Sequence, residues 1–211
     1  MRSEMMVALR VALVTLVLTG LVYPLVMTGL AQVIAPHAAN GSLMKDEHGT
    51  VIGSEVIGQN FTNPAYIQPR PSATNDENDS TKPKPYNATN SGASNYGPTS
   101  QALYERMKGD VERLRKENPD AVGPIPSELI TTSASGLDPN LSPEAVLWQV
   151  PRVAKARGQK VEAVELVVKD HIESPTFGLL GEPRVNVLSL NRALDEQFGL
   201  PPATPTESPS K

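Results

Sequence analysis

One unbroken run of uncharged residues, Val11–Pro36, constrains this chain more than any other feature of its sequence. As a helix of about 26 residues it rises about 39 Å, which exceeds the ~30 Å hydrocarbon core of a bilayer. A secretory signal peptide has a shorter apolar region, of ~7–15 residues, followed by a cleavage site of small residues. The run holds only the weak candidate Gly29-Leu30-Ala31. We therefore expect it to remain in the mature protein as a single membrane helix.

The charges that flank the run predict its orientation. Arg2 and Arg10 precede it, whereas Lys45 is the only Lys or Arg between His37 and Pro69. Because Lys and Arg stay on the cytoplasmic side of a membrane, the N-terminus should face the cytoplasm. We expect a cytoplasmic N-terminus at 1–10, a transmembrane helix at 11–36, a soluble extracytoplasmic domain at 37–199 and a disordered Pro/Thr/Ser tail at 200–211.

Composition and missing motifs exclude several classes of protein. The chain has no cysteine, so a disulfide framework, a thiol nucleophile and a thiolate metal site are all impossible. Its net charge of −4 provides no basic surface for nucleic acid. No Gly-x-x-x-x-Gly-Lys-Ser/Thr loop and no Gly-x-Ser-x-Gly elbow occur, and the histidines lie far apart. The sequence therefore gives no sign of an enzyme, a resident metal or a nucleic-acid partner.

The apolar run carries two local features of its own. Pro24 lies near its middle, where proline removes a backbone donor and should kink the helix. The small residues Ala8, Ala12, Thr15 and Thr19 recur at helical spacing. In lipid such a stripe lets two helices approach closely, so it predicts a docking face. The alternative is that Ala and Thr are ordinary components of a membrane helix.

Beyond the run, the pattern predicts an α+β fold in which a single small domain has a short sheet and about three helices. Ser100 and Ser142 are N-cap signals, and Pro151 should end or bend the second helix after about two turns. Ser72–Thr99 is a long polar loop, which within a compact domain is either functional or disordered. The predicted strands are 51–58 and 184–188, and the predicted helices are 100–118, a helix from 142, 159–172 and 191–198.

Four polar segments are more specific in sequence than an ordinary loop requires. Asn and Ser side chains bond nearby backbone groups, so such segments form rigid turns without any partner. The alternative is that they form a binding surface, and both interpretations stay open at this point. The segments are Arg70–Ala73, Tyr86–Thr99, Ser135–Pro143 with Gln149–Gly158, and Gly181–Leu188.

These segments together resemble one known family, the C subunit of the Kdp-type potassium-transporting ATPase of prokaryotes. The resemblance rests on the combination of Arg-Pro-Ser-Ala, Tyr-Asn-Ala, Ser-Asn-Tyr-Gly-Pro-Thr, Gly-Leu-Asp-Pro and Gln-Val-Pro-Arg-Val-Ala-Lys-Ala-Arg-Gly. It runs from the membrane helix to about Asp195, and the tail after Phe198 lies outside it. Ala93 and Ala134 stand where the family commonly has glycine, and Asn140 stands where it commonly has histidine. These departures weaken any claim that those residues carry chemistry.

The resemblance implies a subunit of a multisubunit pump in the plasma membrane. In that family a channel-like subunit selects potassium, a P-type ATPase subunit forms the aspartyl phosphate, and the C subunit is needed for assembly and activity. The expected partners are those two subunits and the lipid bilayer. Neither a catalytic residue nor a firmly bound cofactor is expected in this chain. The family motifs predict a surface that includes Arg70, Asn87, Ser91, Asn95, Asp138 and Arg152.

The resemblance leaves two mechanisms open. In the first, an outward domain stabilises the pump and caps the potassium entrance of the channel-like subunit. In the second, the C subunit is a catalytic chaperone that raises the ATP affinity of the ATPase subunit through a transient ternary complex with ATP. The residues likened to a nucleotide-binding signature are Ser133, Ser135, Gly136 and Gln149. The predicted topology favours the first mechanism because ATP is cytoplasmic, and Ala134 breaks the glycine–serine pattern that the second requires.

A secreted glycoprotein is a third interpretation of the sequence. Five Asn-x-Ser/Thr sequons occur, at Asn40, Asn60, Asn78, Asn87 and Asn140. Such sequons are frequent by chance in a sequence rich in Asn, Ser and Thr. Attached glycans or a cleaved N-terminus in the native protein would favour this interpretation.

Overall fold

The uncharged N-terminal run forms one helical span in the computed structural model, which describes residues 2–46 and 48–201. The span extends from Arg2 to Ile34, contains an 18-residue window with a mean hydropathy of 2.3 and buries none of its residues. By length and composition this span can cross a membrane. The flanking residues Arg2–Arg10 are also helical, so the helix begins ahead of the uncharged run. The limits of the part that lies within the bilayer stay a prediction.

Pro24 disturbs the helical span by changing its hydrogen-bond pattern. Helix α1 (Arg2–Val17) is followed by a five-residue π-helical segment, Leu18–Val22, and then by α2 (Tyr23–Ile34). The backbone N–H of Tyr23 donates to the carbonyl of Leu18, five residues earlier. Because Pro24 has no N–H to donate, the regular ladder is interrupted at this place, and a π-helical turn accommodates the interruption. The bend itself stays a prediction.

The contacts of the chain divide it into two units, one that ends at Ser54 and one that begins at Glu55. After the helical span, the first unit contains a short helix and an antiparallel hairpin. The strand that was predicted over 51–58 ends earlier, at Ser54. The elements are α3 (Pro36–Ala39), β1 (Leu43–Lys45) and β2 (Val51–Ser54), and the strands pair with Leu43 opposite Ser54.

As far as residue 201, the second unit has four α-helices and a two-stranded antiparallel sheet, so the α+β class is confirmed. The chain as described has two small sheets, whereas the sequence predicted one. Ser100 and Ser142 are confirmed as N-caps, since their hydroxyls accept from the N–H groups of Leu103 and Ala145. The elements are α4 (Gln101–Glu117), a 3₁₀ turn (Ser127–Leu129), β3 (Asn140–Leu141), α5 (Pro143–Arg157), α6 (Val161–Asp170), β4 (Val185–Asn186) and α7 (Val187–Phe198).

The core of the second unit lies between α5, α6 and α7. Apolar residues recur on the inward face of each helix with a spacing of three or four, as an amphipathic helix requires. Three peripheral elements, namely α4, the 3₁₀ turn and β3, each add one leucine to this core. The fully buried centre consists of Ile67, Ala145, Val146, Val150, Val153, Val164, Val168, Val185, Leu190 and Leu194.

Two predicted element ends differ from the structure. Of the two alternatives for Pro151, an end of the helix is wrong, because α5 continues to Arg157, where Gly158 caps it with a φ of 65°; a bend at Pro151 stays a prediction. Val150 and Val153 are both fully buried beside the proline, and their burial offsets the one backbone bond that proline removes. The strand predicted over 184–188 ends at Asn186, whose side chain accepts from the N–H of Ser189 and so begins α7.

The remaining helix predictions differ only at their limits. The helix predicted over 159–172 is α6, Val161–Asp170. Its buried residues Val164, Val167 and Val168 follow the i+3 and i+4 spacing of an inward helix face. The helix predicted over 191–198 begins earlier, at Val187. Of the predicted tail, Leu200 and Pro201 are irregular, and residues 202–211 lie outside the described residues.

Candidate functional site

Buried amide side chains hold a segment that has no regular secondary structure. Ile67 is bonded by Asn191 on α7, which accepts from its N–H at 2.8 Å and donates to its carbonyl at 2.9 Å. Gln68 is bonded in the same reciprocal way by Gln149 on α5, at 3.0 Å in both directions. Gln149 and Asn191 are 0% and 1% exposed. Each amide thus replaces the neighbouring strand that this extended backbone lacks.

Arg152 on α5 extends this arrangement. Its guanidinium donates to the side-chain oxygen of Asn118 at 2.8 Å, to the carbonyls of Pro64 and Tyr66, and to the side-chain oxygen of Gln149 at 2.7 Å. Burial lowers the pKa of Arg152 to about 10, because a desolvated cation is less stable than a hydrated one. We call Gln149, Arg152 and Asn191 the backbone clamp, since all three bind the main chain of residues 64–68.

A second pair of charged side chains binds the same segment. Arg157 and Asp195 form an ion pair at 2.8 Å, and Arg157 donates to the carbonyl of Ala65 at 2.7 Å. The Tyr66 hydroxyl donates to the other carboxylate oxygen of Asp195 at 2.8 Å. Partial burial and the neighbouring Asp195 carboxylate raise the pKa of Tyr66 to about 12. Loss of the Tyr66 proton would place two anions side by side.

Arg70 joins the clamped segment to the polar loops. Its guanidinium forms an ion pair with Asp138 at 2.9 Å and donates to the carbonyl of Thr131 at 3.4 Å. The Tyr86 hydroxyl donates to the carbonyl of Arg70 at 2.8 Å. Burial, with the nearby Asp138 carboxylate, raises the pKa of Tyr86. Arg70 and Asp138, which the resemblance placed on a surface, therefore connect loops that are distant in sequence.

Asn87 organises the long polar loop from within. Its backbone N–H donates to the Thr74 hydroxyl at 3.1 Å, and its amide nitrogen donates at 2.8 Å both to the Asn75 carbonyl and to the Glu77 carboxylate. A hydrogen bond from Lys84, followed by bonds from the Glu77 backbone and Asn87, lowers the pKa of Glu77 to about 2. Asn87 is buried, so this part of the loop is ordered by its own side chains.

The turn Ser133–Gly136 is the segment that was likened to a nucleotide-binding signature. The Ser133 hydroxyl accepts from the N–H of Gly136 at 2.8 Å, and the Ser135 hydroxyl accepts from the N–H of Leu137 at 3.1 Å. Both hydroxyls therefore stabilise the turn to which they belong. They also line a surface depression of about 570 Å³, together with Arg70, Asp138 and several apolar side chains.

Gly136 is required by close contact with the polar loop. Its φ is 69°, and a Cβ at this position would lie 2.5 Å from the Thr74 side chain and 2.7 Å from the carbonyl of Gly92. The Ser135 carbonyl accepts from the Ser91 hydroxyl at 3.0 Å and from the N–H of Gly92 at 2.9 Å. Ser91 and Gly136 thus join two loops, and a side chain at Gly136 would separate them.

The structure divides the predicted site residues among four places. Arg70, Asn87, Ser91, Ser133, Ser135, Gly136 and Asp138 belong to the linked loops, and Gln149 and Arg152 belong to the backbone clamp. Gln149 does not line the depression beside Ser133 and Ser135. Asn95 is separate, with a φ of 52° and an amide that donates to the Ala93 carbonyl at 3.2 Å. Ala8, Ala12, Thr15 and Thr19 lie on the helical span of the first unit.

Sequence reasoning missed Asn191 and Asn118, and it gave Tyr86 no role beyond its place in the Tyr-Asn-Ala motif. Asn191 lies between Leu190 and Leu194 on the buried face of α7, and an amide among apolar positions is the signal that could have found it. A buried polar side chain must be hydrogen-bonded, so its presence on a core face implies a backbone partner. The identity of that partner, Ile67, has no signal in the sequence.

The order of these motifs along the chain is matched by a family model over residues 5–196, with the description "KdpC: K+-transporting ATPase, c chain". The chain belongs to this family. A protein of Myxococcus xanthus is 56% identical over 206 residues, which cover 97% of this chain and 94% of the relative. One of Rhodopseudomonas palustris strain BisB18 is also 56% identical, over 92% and 98% of the two chains. One of Methylobacterium nodulans is 57% identical, over 86% and 91%. Each is named "Potassium-transporting ATPase KdpC subunit".

Membership of the KdpC family confirms the resemblance that the motifs indicated. The chain is a subunit of a potassium-transporting ATPase, and it carries one N-terminal helix that can cross a membrane. The match covers most of the helical span and most of the domain that follows, including every residue of the backbone clamp.

Replacement of Gly136 tests whether the Ser133–Gly136 turn is structural. Gly136→Ala should lower the free energy of unfolding by about 2 kcal/mol or more, because the new methyl meets Thr74 and Gly92 at a positive φ. The control is Gly109→Ala on α4, where the space is open, and it should raise stability by about 0.5–1 kcal/mol. Urea unfolding without ATP can be followed through Trp148, the only tryptophan. Equal stability of the two variants would contradict the structural interpretation.

The raised pKa of Tyr66 predicts an alkaline limit of stability. Between the ordinary value of 10.0 and about 12, the unfolded chain loses the Tyr66 proton while the folded chain keeps it. The contribution of Tyr66 to the free energy of unfolding is therefore fully present below pH 10 and is lost as the pH rises through about 12. Tyr66→Phe should flatten the decline in urea-unfolding free energy over this window. The remaining slope then comes from Tyr86 and Lys84, whose pKa values are also raised, and is opposed by Arg152, whose pKa is lowered. An unchanged slope in Tyr66→Phe would contradict the prediction.

Proposed function

We propose that this chain is a non-catalytic accessory subunit of an ATP-driven, high-affinity potassium uptake complex. It stabilises the assembled pump and caps the potassium entrance of the channel-like subunit. The observation that carries the proposal is the backbone clamp, in which family-motif side chains bind the chain's own backbone. These polar groups make a rigid domain, which suits a scaffold better than a reaction centre.

The charge pattern supports an outward position for the domain. Arg2 and Arg10 precede the apolar run on α1, whereas Lys45 is the only basic residue in the first part of the chain that follows it. By the positive-inside rule the N-terminus lies in the cytoplasm, and the residues after the span lie outside a prokaryotic plasma membrane. A domain in that position meets external potassium and is separated from cytoplasmic ATP.

The helical span is proposed to bind the membrane parts of the pump. The Thr19 hydroxyl donates to the Thr15 carbonyl at 2.8 Å, so this polar group is satisfied within its own helix and can enter lipid. Ala8 and Ala12 continue the same small-residue stripe. Such a stripe allows close approach of another helix. The proposed partners are the channel-like subunit, the P-type ATPase subunit and the bilayer itself.

The ATP-chaperone mechanism requires four groups to meet a nucleotide. Gln149 is fully buried, and both ends of its amide bind Gln68. The hydroxyls of Ser133 and Ser135 accept from backbone N–H groups of their own turn. Contact of the Gln149 amide with ATP would first require its two bonds to Gln68 to open, at a cost of about 1–3 kcal/mol for each buried group left unpaired. The internal bonds of Gln149 support the scaffold mechanism. The ATP mechanism would become the better account if a topology experiment placed the domain in the cytoplasm.

Cysteine labelling tests the proposed topology without background, because the chain has no cysteine of its own. Val122→Cys places a thiol on the domain at a position that is 90% exposed. The matched control is Ser3→Cys, on the exposed start of α1. In intact cells or spheroplasts, a membrane-impermeant thiol reagent should label the domain variant and leave the N-terminal variant unlabelled until lysis.

The reverse labelling pattern would overturn the outward scaffold. If Val122→Cys reacts only after lysis, the domain is cytoplasmic and the ATP mechanism becomes the better account. Both variants should co-purify with the other pump subunits, since neither alters the core or the small-residue stripe. Loss of co-purification in the unmodified chain would contradict the proposed complex itself.

A further inference from the structure

A hairpin between α6 and β4 exposes large apolar side chains at its tip. We call residues 173–184 the apolar hairpin. Phe177, Leu179 and Leu180 are 94%, 83% and 60% exposed. None of the three belongs to the core cluster or to the residues packed against it. A group of neighbouring apolar side chains that the fold does not use marks an interaction site.

Backbone hydrogen bonds give the apolar hairpin a defined shape. Thr176 and Leu180 exchange two bonds, at 2.9 and 3.0 Å, and Glu173 and Arg184 exchange two more, at 2.8 and 3.1 Å. The side chains of Glu173 and Arg184 also form an ion pair at 2.9 Å. The loop therefore presents its tip in one conformation, which reduces the ordering entropy that binding would otherwise cost.

Phe177 has an unusual backbone conformation for an aromatic residue. Its φ is 56°, in the left-handed region that residues other than glycine seldom occupy. The turn stabilises this conformation through the N–H of Gly178, which donates to the Pro175 carbonyl at 2.8 Å. The strained residue gains nothing in return from burial, because its ring lies in solvent. Such strain is typical of sites that bind a partner.

The charges near the tip distinguish between a membrane surface and a protein as its partner. Arg184 is the only basic residue from 172 to 184, and Glu173 pairs with it. Among the residues that the structure describes, Glu182 forms no ion pair. Membrane-binding loops use Lys and Arg to approach anionic lipids, and an acidic margin is repelled by them. Apolar anchors with an acidic margin instead complement a protein pocket with a basic rim.

We propose that the apolar hairpin docks Phe177, Leu179 and Leu180 into an apolar, basic-rimmed pocket on another subunit of the same potassium-transporting ATPase. The proposal rests on the proposed function, which places this chain in that complex. Phe177 is the central anchor, and the two leucines surround it. The hairpin supplies a contact of the domain that is separate from the small-residue stripe on the membrane helix.

Photocrosslinking in the assembled pump identifies the occupant directly. A photoreactive phenylalanine analogue replaces Phe177 in the full chain, which is expressed with the other subunits in native membranes. Irradiation should join it to another pump subunit, with the crosslinked peptide identified by mass spectrometry. The same analogue at Val122, which is 90% exposed on a different loop, is the control and should give less of that product. A lipid adduct or no specific adduct at Phe177 would overturn the proposal.

A paired substitution measures the strength of the contact. Phe177→Ser with Leu179→Ser should make the chain dissociate from the purified pump about thirty times faster, as expected for loss of apolar anchors. Val122→Ser should dissociate at the unmodified rate. Trp148 fluorescence should be the same in all variants, since no core residue changes. Normal retention of the paired variant would refute hairpin docking and leave the proposed function intact, whereas failure of the unmodified chain to co-purify would refute the proposed function.

Discussion

Three buried side chains, Gln149, Arg152 and Asn191, hold the extended residues 64–68 against the helical core. A buried backbone group without a partner costs about 1–3 kcal/mol, whereas a satisfied one contributes about 0.5–1.5 kcal/mol net. Without the clamp the segment would leave several such groups unpaired at once. The same segment leads directly to Arg70, whose ion pair with Asp138 fixes the loops beyond it. The position of the polar loops therefore depends on the clamp.

This arrangement explains what the family motifs do in the chain. From the sequence alone these motifs were candidate binding loops. In the structure Asn87, Ser91 and Gly136 instead form hydrogen bonds with other residues of the same linked loops. A domain that is rigid for this reason can serve as a scaffold on a membrane helix without any chemistry of its own. Its contacts with partners then fall to exposed groups that the network does not use, of which the apolar hairpin is the clearest.

Predictions from sequence succeeded where the deciding interactions are local. Ser100 and Ser142 cap their helices through groups three residues away, so a short pattern contains the whole signal. Predictions failed where distant contacts decide. Burial on both sides of Pro151 keeps α5 continuous. The Asn186 cap, which begins α7 within the predicted strand, is by contrast a local signal that sequence reasoning overlooked. The clamp joins residues as far apart as 124 positions, and no local pattern specifies which backbone group a buried amide will meet. The family resemblance identified the motif residues but not their partners.

Native-state hydrogen exchange of the full chain tests the structural role of the clamp most directly. The amide protons of Ile67 and Gln68 are bonded only to side chains, at 2.8 and 3.0 Å. If the clamp holds the segment as firmly as the core, these protons should exchange as slowly as the backbone amide of Val150 on α5, with or without ATP. Exchange as fast as that of an exposed loop, or slowing on addition of ATP, would contradict the account.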